Sequence, residues 1–201
     1  MTEAVPKSSR SLRLAWLVPL VAALAGCGSS PVTHFYTLSP ATAPAPEGRV
    51  AYTVAIGAVA LPDGIDRPQI VLRGAGNQVT FSEFERWLGA LKDEIALAVA
   101  ANLKQALGGA NVYAYPVSAG MNADVSVLLY VQRFDAVLGD AAAVEVLWQV
   151  SPAKGAVKNG RTSVREPAGG AGYDAVVAAQ GRALAAVSSD IAAAIRASRA
   201  P

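Results

Sequence analysis

Hydrophobic and polar positions alternate along this chain with two periods, and the change from one to the other marks the elements. From Ala51 to Leu61 the period is two, with Tyr52, Val54, Ile56 and Ala58 on one face, and Pro62-Asp63-Gly64 ends the run as a turn. Gln69 to Arg73 and Asn77 to Phe81 read as short strands of a hairpin around Gly74-Ala75-Gly76. Between Leu88 and Leu107 the positions Leu88, Leu91, Ile95, Ala98 or Val99, Asn102 or Leu103, and Leu107 recur every three or four residues, which predicts an amphipathic helix stopped by Gly108-Gly109. Glu83, Glu85, Arg86 and Trp87 are then expected at the solvated start of that helix, with one buried aromatic.

Asn111 to Tyr115 forms a strand closed by Pro116, and Ala123 to Phe134 places Val125, Val127, Leu129 and Val131 on one face. Its other face, with Ser126, Leu128, Tyr130, Gln132 and Phe134, is also largely apolar, so this strand is expected to be central or covered twice. Val144, Val146, Trp148 and Val150 give the inward face of the next strand. Asn159-Gly160 reads as part of a turn before a last strand from Arg161 to Glu166. The final stripe, Val177, Leu184, Val187, Ile191 and Ile195, predicts a long helix from about Asp174 to Arg199 with Asp174 as its N-cap. The order predicts an α+β fold: an antiparallel β-sheet with two amphipathic helices packed on one face, a two-layer sandwich spanning residues 51–201. The chain has no internal repeat.

The amino-terminal segment follows a different pattern. A basic stretch to Arg13 precedes an uncharged apolar run of 12 residues, Leu14 to Ala25, interrupted by Pro19. That run is too short to span a bilayer core, which needs about 20 helical residues, and it reads as a secretory signal over 1–26. Leu24-Ala25-Gly26-Cys27 resembles the bacterial lipobox, in which a peptidase cuts before a cysteine carrying a diacylglyceryl group. Cys27, the sole cysteine, is the expected lipidation site, and several acyl chains would anchor the protein stably. Position 28 is Gly, whereas Asp there commonly retains such proteins in the inner membrane, so the periplasmic face of the outer membrane is the expected location. Residues 27–50 are expected to be the lipidated terminus and a linker rich in Pro, Ala and Ser, interrupted by His34-Phe35-Tyr36-Thr37-Leu38, a first strand or docking segment. About fifteen linker residues would span about 20 Å from the bilayer.

Composition narrows the function. With 53% apolar and 16% charged residues the 201-residue chain folds rather than remaining disordered. Setting aside Lys7, Arg10, Arg13 and Glu3 leaves 14 of the 17 basic and 14 of the 15 acidic side chains, so the body is neutral. It lacks the basic stripe that nucleic-acid binding requires. His34 is the only histidine, and a serine nucleophile needs a base held in a rigid pocket, so no catalytic residues are expected, no cofactor, and no zinc cluster. Asp63 and Asp66 flank a turn and could suit a cation or a weak hydrolase reading; bonding to their own backbone is the better account. Gly169, Gly170 and Gly172 lack the Lys-Ser/Thr of a phosphate loop and read as a flexible helix entry.

Several segments, in order, resemble the auxiliary lipoproteins of MCE-type ABC transport systems, the family of paraquat-inducible protein C. They are Phe35-Tyr36-Thr37-Leu38-Ser39-Pro40, Leu61-Pro62 through Asp66-Arg67-Pro68-Gln69-Ile70-Val71, Phe84 through Trp87, Val112-Tyr113-Ala114-Tyr115-Pro116, Val131-Gln132-Arg133-Phe134-Asp135, Arg165-Glu166-Pro167 and Tyr173 through Ala185. The chain departs from that pattern at Gly139 to Ala143 and Ala153 to Gly160, which read as Ala-rich loops. The resemblance implies a non-enzymatic outer-membrane lipoprotein whose partner is a periplasmic MCE-domain protein, with phospholipid as the cargo moved between membranes. The different-class alternative is a structural or assembly lipoprotein that binds another envelope protein without lipid traffic. Apolar residues on both faces of the central strand, with Tyr and Trp among them, leave room for a homo-oligomeric surface.

Overall fold

The computed structural model describes residues 31–40 and 52–199; the expected signal peptide, Cys27 and most of the second linker lie outside them. Thr33 onward forms one compact unit. Its elements are β1 (His34–Tyr36), β2 (Thr53–Ile56), β3 (Gln69–Arg73), β4 (Val79–Trp87), α1 (Leu91–Ala106), β5 (Asn111–Ala114), β6 (Val125–Val137), β7 (Ala141–Pro152), β8 (Lys158–Pro167) and α2 (Tyr173–Ser198). Neither helix is long and apolar enough to cross a membrane.

The class is α+β, and the eight strands of the described residues join one sheet. β6 organises it. One edge pairs with β7 along its whole length, from Val125↔Pro152 to Val137↔Ala141, and β7 in turn pairs with β8, both antiparallel. The other edge serves two neighbours: β2 lies parallel to its first half through Val54↔Val125 to Ile56↔Val127, and β3 meets its second half at Leu72↔Ala136. β5 extends the first group and β4 the second, with β1 outermost beside β4. The sheet is therefore mixed, which corrects the antiparallel expectation. The meander and the hairpin are antiparallel as expected, but β2 pairs parallel with both β5 and β6, because the chain crosses over through α1 before returning to each.

Both helices line one core with the inward side chains of the sheet. Leu91, Ile95, Val99 and Leu103 of α1 and Leu184, Val187, Ile191 and Ile195 of α2 join Val54, Ile56, Val127, Leu129, Val144 and Val146 in a single buried cluster. Several boundaries differ from the sequence expectation. β4 runs on to Trp87 and α1 begins only at Leu91, so Glu83 to Trp87 are strand, not helix start. Glu85 to Trp87 are held extended by pairing with β1, some fifty residues upstream. Ala141 to Ala143 and Lys158 to Gly160, expected as loops, belong to β7 and β8. Gly172, with no side-chain bond, holds the cap position of α2, and Asp174 lies in its first turn, where its charge still favours the helix end.

Two local devices shape the core. The β6/β7 register shifts between Val131 and Arg133, and this irregularity turns Phe134 inward, opposite to the uninterrupted alternation expected for the strand. Gly160 faces Trp148 directly across β7 and β8, and a Cβ there would overlap the indole ring. The indole thus covers bare backbone, while its Nε1 donates to Thr162 Oγ1 at 3.0 Å and Thr162 donates to Asp190 Oδ2 of α2 at 2.7 Å.

Gly160→Ala is expected to displace the indole and destabilise by about 1–3 kcal/mol; unchanged tryptophan emission and melting temperature would contradict the packing. Leu184→Asp places an unpaired carboxylate at a fully buried site and is expected to lower stability by several kcal/mol in chemical denaturation.

Candidate functional site

The amino-terminal strand is latched to the body by side chains as well as by its ladder. Leu88 N–H donates to the Tyr36 carbonyl at 2.8 Å, extending the β1/β4 register by one residue. On the inward side Tyr36 donates its hydroxyl to Glu85 Oε2 at 2.5 Å, and His34 Nδ1 lies 2.9 Å from Glu85 Oε1. Leu38 N–H donates to Glu94 Oε2 at 3.1 Å, and the Leu38 side chain is buried. The Tyr36 ring packs 6.3 Å from that of Tyr173. Ser39 then crosses α2 at Gly181, where a Cβ would sit 3.0 Å from the Ser39 carbonyl oxygen. Burial and the neighbouring Glu85 carboxylate push the Tyr36 phenol well above its ordinary value. The hydrogen bonds from Tyr36 and His34 hold Glu85 below the usual carboxylate range. The only histidine in the sequence thus serves a strand-to-strand latch, and its side chain stays largely exposed.

The outward face of the sheet carries charges that compensate one another. Asp135, almost fully buried, is clasped by Arg73 at 2.8 Å and by Arg133 at 3.0 Å. The Asp135 bond raises the Arg133 guanidinium above its usual range. Glu145 pairs with Arg161 at 2.7 Å and Asp140 with Arg165 at 2.5 Å. Arg133, Asp135, Asp140 and Arg165 surround a cavity of about 250 Å³. Because each carboxylate already meets a guanidinium, the cavity presents dipoles and not a free charge. Tyr130 and Leu147, cross-strand neighbours, are partly exposed on this face. The Asp135 clasp was not anticipated. Its signal was the i, i+2 spacing of Arg133 and Asp135 on a strand, which puts both on one face; Arg73 comes from a strand sixty residues earlier.

Other expected positions fall apart from one another. Asp66 contacts Lys92 at 3.5 Å, and Ile65 and Asp66 donate their N–H groups to the Pro62 carbonyl in a compact turn. Gly169 adopts φ 75° and precedes α2 as a simple entry. Among the described residues no group of three or more His, Cys, Asp or Glu could hold a metal. Cys27 lies outside the described residues.

Glu85 ionises below the ordinary range in the folded protein, so its stabilisation is present above about pH 4.3 and fades as pH falls through the lowered value. Glu85→Gln is therefore expected to melt a few degrees lower at pH 7, with the gap to the parent closing in acid. A constant gap across a pH series of thermal melts would contradict the latch.

The family model described as ABC-type transport auxiliary lipoprotein component matches residues 36–192, from within β1 to within α2. No curated protein matches the chain. A crystal structure of an uncharacterized protein superposes with a TM-score of 0.70 at 19% identity, covering 82% of this chain and 99% of that one. Protein XCC0632 from Xanthomonas campestris superposes at 0.62 and 20% identity, covering 81% and 93%. Both likenesses establish the fold. A PelC dodecamer from Paraburkholderia phytofirmans aligns at a TM-score of only 0.43 and 15% identity over 72% of this chain and 89% of that one, too loose a likeness to bear on assembly here. With three quarters of its length inside the family match, the chain belongs to the ABC-type transport auxiliary lipoprotein components.

Proposed function

We propose that this protein is a non-catalytic auxiliary component of an MCE/ABC-type lipid transport system, held by lipidated Cys27 on the periplasmic face of the outer membrane after removal of residues 1–26. The family match carries this reading, and the Leu24-Ala25-Gly26-Cys27 motif at the end of the apolar run supports the anchor. The geometry is consistent with an adaptor. Asp135, Asp140 and Glu145 on the outward face are each engaged by arginines, and the histidine is occupied by Glu85. The partner is a periplasmic MCE-domain protein and the transported molecule a phospholipid.

The reach of the tether is shorter than the linker composition suggests. β1 docks at His34, so only residues 28–33 separate it from Cys27. Fully extended, those seven steps cover at most about 25 Å, and the domain stays close to the bilayer; the partner must come to it.

Cys27→Ala is expected to abolish palmitate labelling and leave an unprocessed precursor, while the parent co-purifies with the MCE-domain protein after crosslinking in cells. Labelling that persists in the variant overturns the anchor. Recovery of an envelope protein of another kind, with no MCE protein and no defect in outer-membrane integrity on deletion, favours the assembly lipoprotein instead.

A further inference from the structure

The outermost strand pair and the residue that follows it expose three large apolar side chains close together along the chain and across the β1/β4 ladder. Tyr36 and Trp87 point into the core, so Phe35 on β1 and Arg86 and Leu88 along β4 point outward; Phe84, also exposed, precedes them in the stretch where β4 shifts its register against β3. Phe35 is 59%, Phe84 43% and Leu88 66% exposed. Leu88 is held beside β1 by its amide bond to Tyr36, and Arg86 stands directly opposite Phe35. Nearby, the Arg67 guanidinium lies 3.7 Å over the Phe81 ring. Aromatic and aliphatic tips interleaved with arginines are the composition of surfaces that rest at the lipid headgroup boundary. The exposed Glu83, 3.7 Å from Arg86, offsets part of that positive charge, so attraction to anionic lipid is secondary to apolar burial.

We propose that this Phe35–Phe84–Leu88 face rests on the lipid surface to which Cys27 is attached. The proposal depends on the lipid anchor proposed above. The occupant follows from the chain length: with seven steps between Cys27 and His34, β1 stays within about 25 Å of the acylated residue, and the exposed face belongs to that strand and its neighbour. Three side chains are too few to hold a protein on a bilayer alone. A short tether, however, makes their contact intramolecular and effective at high local concentration. The anchor then provides attachment and the patch provides orientation, presenting the opposite edge of the sheet, β8 and the β7–β8 turn, away from the membrane.

The 201-residue sequence has a single cysteine, so in protein acylated at Cys27 an added cysteine can be labelled selectively. Phe84→Cys, Leu88→Cys and Val157→Cys, the last in the β7–β8 turn, would each carry an environment-sensitive fluorophore. Each protein would be reconstituted on phospholipid vesicles with brominated acyl chains. We expect several-fold stronger quenching at 84 and 88 than at 157. Adding Phe35→Ser and Phe84→Ser to the Leu88→Cys protein should abolish that excess while the protein still floats with the vesicles. Equal quenching at all three positions in protein that floats overturns the orientation and leaves the anchor standing. A blue shift at 88 that grows with protein concentration without bromine quenching assigns the face to a second copy and overturns the proposal. Protein that carries no acyl group and does not float removes the anchor and this inference with it.

Discussion

A single strand with both edges in use constrains this fold more than any other element. β6 gives one edge to β7 throughout and divides the other between β2 and β3. Thirteen residues thereby join two groups of strands that have no pairing with each other. The register shift after Val131 lets the strand do this while keeping its apolar side inward, since Phe134 would otherwise face solvent and Asp135 would enter the core. As it stands, Phe134 meets Trp87 with ring centroids 6.1 Å apart, and Asp135 is free to be clasped by two arginines. Packing and surface charge in this half of the molecule depend on the same irregularity.

The Asp135 clasp differs in energetic character from the other ion pairs. Glu145–Arg161 and Asp140–Arg165 involve arginines that are mostly solvated and contribute little each. Asp135 is shielded from water, so removing both arginines would strand a desolvated carboxylate, a larger effect than the pairs' own attraction. Its role is to fasten β3 to β6 where their ladder is reduced to one bridge. This charge is used for construction, as Glu85 is at β1.

The sequence revealed elements whose signal is local and hid those whose signal is distant. Both helices, the hairpin of β3 and β4, and the meander of β6 to β8 follow from periods of 3.6 and 2 and from Gly108-Gly109 as a stop. The true end of β4 does not, because Glu83 to Trp87 contain enough helix-compatible residues to suit either state until β1 arrives from upstream. Asn159-Gly160 has the composition of a turn, yet Trp148 opposite makes a glycine in mid-strand the residue that fits. Parallel pairing of β2 was invisible for the same reason: strand direction is set by a crossover and leaves no mark on alternation. Of the candidate site, the docking role of His34 to Leu38 was legible, but Glu85 as its counterpart was not.

The chain enters its fold through its shortest strand, and this has a mechanical consequence. Tension on the amino-terminal end would load three rungs of ladder, the Glu85 contacts and the Leu38 amide bond before it reached the core. Peeling those few contacts would leave the helices and the other seven strands in place. The free contour beyond position 27 would then grow from about 25 Å, ending at β1, to about 90 Å, ending at β2.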